Sequence, residues 1–201
     1  YEQRIGEPMK RWAALSLTKP YYDRSGKAVK YPSFAVNEEY PQVKADWLVQ
    51  TGAGIYCSPA VWKDKVYVGD DLGFLTCYTL KSGQKLWNFQ SGKRIVGTPD
   101  VADGVVVFGS ADHNIYGLDA RTGKERWRVT AGEPVLGAVT IEKGVAYIGA
   151  SDSTFRAIHI KSGKVLWSYA GIKGYVETKP LIEGNKVIFG AWDNTLYALD
   201  K

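Results

Sequence analysis

The chain has 201 residues, 45% of them hydrophobic and 13% aromatic, which excludes an intrinsically disordered segment and leaves enough apolar side chain for a packed core. Its formal charge of +5 is spread along the chain without a block of like charges, so no nucleic-acid partner is expected, and no apolar stretch is long enough for a transmembrane segment. Two cysteines and two histidines rule out a disulfide scaffold and leave little for a metal site, while 22 glycines and 7 tryptophans point to short strands joined by tight turns.

Residues 1–46 fit no repeat and read as an N-terminal strand and extended linker, the end of a preceding domain. YEQRIG reads as a short strand that MKRWAALSLTK continues. The region around Pro20, Tyr21, Tyr22, Gly26, Pro32 and Pro41 reads as extended polar linker. The chain opens on Tyr1 rather than methionine, which reads as other than a native translation start.

From residue 47 onward a repeat takes over. Trp47, Trp87, Trp127 and Trp167 are 40 residues apart, and Gly83, Gly123 and Gly163 keep the same step. So do Gly69, Gly109 and Gly149, with Gly190 following after 41 because Gly184-Asn185-Lys186 lengthens one turn. Within a unit, the runs 65–69, 74–80, 85–90 and 96–102 have the two-residue period of strands and are separated by Gly, Asp, Asn and Ser turns. Four antiparallel strands in a unit of this length are a blade, so residues 47–201 read as an all-β propeller of about four blades. Gly83, Gly123 and Gly163 supply positive φ in the hairpin before the last strand. Each tryptophan sits on that outer strand and docks between blades, with its indole N–H on a carbonyl.

Units 55–87, 95–127 and 135–167 are complete, whereas the one starting near Tyr175 lacks its tryptophan strand. A lone outer strand, ADWLVQ (45–50), stands at the front. These pieces could close a four-bladed ring. The reading preferred is an arc of a larger propeller, whose open edges would take the remaining blades, another protein or a second copy.

The strings GLDARTGKERW (117–127), AIHIKSGKVLW (157–167) and the terminal YALDK resemble the tryptophan-docking repeat of PQQ-like quinoprotein propellers. That family holds quinone-dependent alcohol dehydrogenases and a non-catalytic lipoprotein of outer-membrane barrel assembly. The resemblance implies rings of seven or eight blades and a periplasmic or other extracytoplasmic location. The repeats depart from it where Thr79 and His159 replace the Asp of Asp119 and Asp200. Asp112, Asp152 and Asp193 also form a column, with Leu72 in the first unit and Asp71 one residue earlier. The layout is further similar to bacterial calcineurin-like metallophosphoesterases fused to such a propeller, which implies an accessory domain as the alternative function.

A quinoprotein dehydrogenase needs adjacent cysteines, but Cys57 and Cys77 are 20 residues apart. They read as buried free thiols, with a bridge within one blade as the alternative. A two-metal phosphoesterase needs more histidine than His113 and His159. GDDLG (69–73) and SADHN (110–114) read as turn chemistry. The chain is therefore expected to be a non-catalytic binding or scaffolding module with no catalytic, metal or cofactor residues. The candidate binding face, for a protein or a glycan, is built from Arg94, His113, Lys173, Tyr175, Glu177 and Trp192, with Asp70, Lys93 and Asn194 on the same loops. Trp192 stands outside the docking column, and Glu177 shares the Cys57, Gly97 and Gly137 column near the central channel.

Overall fold

Val105 to Gly109 are buried at every position, so the strand they form must have a packing partner on each face. Val106 and Phe108 join one core cluster and Val105 and Val107 another, as the two-residue period of a strand requires. In the computed structural model the two partners are neighbouring sheets. The structure describes residues 45–201 and the backbone of residues 21–22 and 28–29. The chain divides into two compact units, Tyr1–Ala45 and Asp46–Lys201.

In the first unit, β1 (Tyr21–Tyr22) pairs antiparallel with β2 (Ala28–Val29), so a small hairpin stands where extended linker was expected. The strand expected over YEQRIG and MKRWAALSLTK lies outside the described residues.

The second unit is all-β. Blade one comprises β3 (Ala60–Trp62), β4 (Lys65–Gly69), β5 (Phe74–Thr79) and β6 (Lys85–Gln90). Blade two comprises β7 (Asp100–Ala102), β8 (Val105–Gly109), β9 (Asn114–Asp119) and β10 (Glu125–Thr130). Blade three comprises β11 (Thr140–Glu142), β12 (Val145–Gly149), β13 (Phe155–His159) and β14 (Val165–Tyr169). Among the described residues the fourth sheet comprises β15 (Leu181–Glu183), β16 (Lys186–Ala191) and β17 (Thr195–Asp200). Each sheet is an antiparallel meander in chain order. The first strands of successive blades are neighbours, and a core cluster fills each space between consecutive blades. No cluster joins the fourth blade to the first among the described residues, so the blades form an arc.

Two strands differ from the sequence reading. The innermost strand expected at 96–102 is only Asp100–Ala102. Pro99 has no N–H for a ladder, and a Cβ on Gly97 would lie 2.2 Å from the Gly137 carbonyl oxygen. The column of Cys57, Gly97, Gly137 and Glu177 therefore precedes the inner strands rather than lying in them. Residues 45–50 form no strand, and among the described residues no third strand lies beside them to complete a ladder.

The tryptophans repeat one geometry. The Nε1 groups of Trp47, Trp87 and Trp127 donate to the carbonyls of Leu80, Ala120 and Ile160, at 3.0, 3.3 and 2.6 Å. Each indole lies over a glycine of the following blade: a Cβ on Gly83, Gly123 or Gly163 would come within 2.7 Å of the ring system or, at Gly163, its Cγ. Those glycines have φ of 65°, 73° and 70°. Trp167 packs against Tyr147 and Phe155 in the cluster between blades three and four.

The Asp column fastens the opposite end of each junction. Asp112, Asp152 and Asp193 each accept one bond from their own turn, from the N–H of Asn114, Thr154 and Thr195. The other oxygen accepts from the previous blade's exit loop, from the N–H of Gly92, Gly132 and Lys173. In blade one, Asp70 takes the local half of this role, accepting from Leu72 and Phe74 N–H at 3.0 and 2.9 Å.

Burial raises the carboxyls of Asp112 and Asp152, but the Tyr116 hydroxyl and the Arg156 guanidinium, with the backbone donors, outweigh it and hold both below the usual range. A depressed folded-state value stabilises the protein above the unfolded value of about 3.9, and that stability is lost as pH falls through the folded value. The melting temperature should therefore fall as pH drops below about 4. The Asp112→Asn/Asp152→Asn variant should melt lower at pH 7 and show a flatter acid limb. A melting temperature that rises on acidification in the parent chain contradicts the staples.

Candidate functional site

The repeat brings two loops of every blade to one face. The loop entering each blade and the turn between its second and third strands are joined by one backbone bond. Asp71, Ala111, Ser151 and Trp192 donate their N–H to the carbonyls of Gly54, Arg94, Pro134 and Tyr175, at 2.9 to 3.0 Å. The same backbone bond recurs in all four blades, while the side chains at these positions vary from blade to blade.

Between blades one and two the face is polar. Asp71, Lys93, Arg94, Ala111 and Pro134 line a hollow of about 480 Å³. The Lys93 carbonyl accepts from the buried Ser91 and Ser110 hydroxyls at 2.7 and 2.9 Å, which fixes the backbone under two exposed cations. Toward blade four the face becomes aromatic and acidic. Glu133, Pro134, Leu136, Ser151, Tyr175 and Glu177 line a second hollow of about 490 Å³. Pro134 borders both hollows. Trp192 is 69% exposed and Tyr175 53% exposed, and their backbones are bonded to each other. Large side chains left open to water on a rigid support are what a partner can bury at low ordering cost.

Of the residues singled out in the sequence, Tyr175 and Trp192 come together, Tyr175 shares its hollow with half-buried Glu177, and Arg94 borders the other hollow. His113 and Lys173 line neither. His113 has φ 73° at its turn, with Nδ1 3.3 Å from the Gly132 carbonyl. Lys173 is exposed, and its N–H is taken by Asp193. Asp70 is buried as a turn acceptor, and Asn194 holds the left-handed position of the last turn. Sequence reasoning missed Pro134, Glu133 and Ser151, although Pro134 falls on the Arg94 column one repeat later.

Catalytic groups do not assemble among the described residues. No three His, Cys, Asp or Glu side chains are placed to hold a metal ion. His159 Nδ1 lies 2.9 Å from Ser162 Oγ, but this is the outer-turn contact that Asp119 makes with Thr122 and Thr79 with Ser82. Arg126 and that turn hold the Asp119 carboxyl down at about 2, the behaviour of a turn cap. Cys57 and Cys77 are free and buried. Burial pushes the Cys57 thiol up and Cys77 to about 11, which keeps both protonated and poorly nucleophilic.

The profile of the family described as outer membrane protein assembly factor BamB matches residues 35–125 and 107–201. The chain is 28% identical over 127 residues to outer membrane protein assembly factor BamB of Xanthomonas campestris pv. campestris, a match covering 53% of the chain and 31% of that protein. The crystal structure of BamB from Moraxella catarrhalis is similar at a TM-score of 0.69 and 15% identity, covering 76% of this chain and 48% of that one. The computationally designed Ika4 protein is similar at 0.69 and 23% identity, covering 77% of this chain and 95% of Ika4. The chain thus spans about a third of the curated relative and about half of the natural structure it matches. These matches give no support to the metallophosphoesterase layout. They agree with the tryptophan, glycine and aspartate columns in placing the chain within one family: it belongs to the PQQ-like propellers described as outer membrane protein assembly factor BamB.

Proposed function

We propose that the chain is a non-catalytic, extracytoplasmic binding module of outer-membrane protein assembly, and that it holds a protein partner on the loop face between Arg94 and Trp192. The observation that carries this reading is the exposed pair Tyr175 and Trp192, whose backbones are tied by the hydrogen bond that recurs in every blade. The family description supports the setting. Tyrosine, tryptophan and arginine are the side chains that dominate binding energy when a partner buries them.

A photoreactive amino acid at position 175, in the chain expressed in a bacterial envelope, should crosslink to a component of outer-membrane protein assembly. Crosslinks confined to lipid or glycan, or none, would overturn the reading. Trp192→Ala should leave the melting temperature within about 2 °C, because the side chain is exposed. The same change should weaken the crosslinked partner's affinity about tenfold or more. A loss of stability without a loss of affinity contradicts the assignment.

A further inference from the structure

Opposite the loop face, each complete blade ends in two hairpins, one joining its first and second strands and one joining its third and fourth. One backbone bond ties the two together: Leu80, Ala120 and Ile160 donate their N–H to the carbonyls of Asp64, Gly104 and Gly144, at 2.8 to 3.0 Å. At the outer hairpins of these blades stand two exposed cations each: Lys81 and Lys85, Arg121 and Lys124, Lys161 and Lys164. None of the six enters an ion pair among the described residues. The turns are held by other groups, Thr79 with Ser82, Asp119 with Thr122 and His159 with Ser162, so turn chemistry does not account for the cations. Five carboxylates at this end pair with cations outside the six, among them Asp119 with Arg126 and Glu125 with Arg128. Asp103 and Glu183 are left unpaired among the described residues. Leucines flank the cations, with Leu80, Leu86 and Leu166 exposed by 44%, 43% and 48%.

We propose that this hairpin face lies on an anionic lipid surface, with the six cations over headgroup phosphates and the leucines at the edge of the acyl region. Cations beside exposed leucines are the pattern of a face that rests in a lipid interface. The cations also repeat, two to each hairpin, whereas the loop-face side chains differ in every blade. A repeated charge suits a partner that is itself uniform, as a leaflet is, and a varied surface suits a particular protein. The loop end carries a carboxylate at the same place in successive turns, Asp112, Asp152 and Asp193, so a negative surface draws the hairpin end toward it and not the loop end. All six cations stand on complete blades. Docked in this way, the chain keeps its loop face directed away from the lipid and open to a protein partner.

The proposal rests on the extracytoplasmic setting above but not on the loop-face partner, so vesicle binding and the crosslink at position 175 can each fail alone. Co-sedimentation of the chain with vesicles of phosphatidylcholine and phosphatidylglycerol, against vesicles of phosphatidylcholine only, tests it. The chain should bind the anionic vesicles and not the neutral ones, and bind more weakly as salt is raised. Each cation beside an anionic leaflet strengthens binding about fivefold, so Lys81→Gln/Lys124→Gln/Lys164→Gln should bind about a hundredfold more weakly while melting with the parent. Lys81→Arg/Lys124→Arg/Lys164→Arg, which keeps the charge, should bind as the parent does. A parent chain that stays in solution, equal binding to both kinds of vesicle, or capture by poly-glutamate but not by vesicles would each overturn the proposal. So would a glutamine variant that binds like the parent.

Discussion

Trp127→Ala should destabilise the protein by about 3–5 kcal/mol, as loss of a buried tryptophan does, and lower its melting temperature by about 10 °C or more. Trp127 sits in the middle junction, is 9% exposed, donates to the Ile160 carbonyl at 2.6 Å and covers Gly163. Its ring also closes on Gly117, where a Cβ would lie 2.1 Å from Cε2. The neighbouring glycines leave no side chain able to fill the hole, so the cavity cannot collapse cheaply. Thermal melts of the parent and variant measure the effect, and an unchanged melt contradicts the docking role. Trp192→Ala in the same assay is the control, since that ring is largely in water.

Gly123→Ala should cost about 3 kcal/mol from two sources. Its φ of 73° is one that an L-residue adopts at a cost of roughly 1 kcal/mol. The added Cβ would also stand 2.5 Å from Cε3 of Trp87, forcing that indole off its seat and away from the Ala120 carbonyl. Gly144→Ala separates the two sources: its φ is 79°, yet nothing lies within 4 Å of the place its new methyl would take. That variant should bear the backbone cost alone, about 1 kcal/mol. Equal losses at 123 and 144, read from urea or thermal unfolding, would show that the glycine column serves backbone conformation and not tryptophan docking.

The fold was legible because the repeat writes each structural role several times. Trp87 and Trp127 announce the same seat, and Gly123 and Gly163 the same turn, so the period of the sequence is the period of the blades. Roles that occur once were not legible. Asp70 caps its turn from two positions before the usual Asp, and only the folded loop shows that both routes reach the N–H at the start of the third strand, Phe74 in blade one and Asn114 in blade two. Residues 45–50 read as a strand from their side chains, but a strand is defined by a neighbour's hydrogen bonds, and local sequence carries no record of that neighbour. The short inner strands follow from packing at Gly97 and Gly137, a contact between blades that no single repeat reveals.

The loop face was legible only in part. Exposure of Trp192 followed from its absence from the docking column, and the structure adds that its backbone is tied to Tyr175. His113 was assigned to the face through its loop, and the structure adds that it holds a left-handed turn position there and lines neither hollow. Shared hollows depend on which loops the curvature of the arc brings together, so Glu133 and Ser151 acquire their meaning only beside Tyr175.

The central claim is that the tryptophans of the docking column hold the blades together while Trp192, which stands outside it, holds a partner together with Tyr175. Titrating the crosslinked assembly partner into the Tyr175→Ala/Trp192→Ala chain tests this most directly. The account predicts affinity lowered by a hundredfold or so, as two interface hot spots of about 1.4 kcal/mol each require, in a protein that melts with the parent. Binding that matches the parent chain contradicts it.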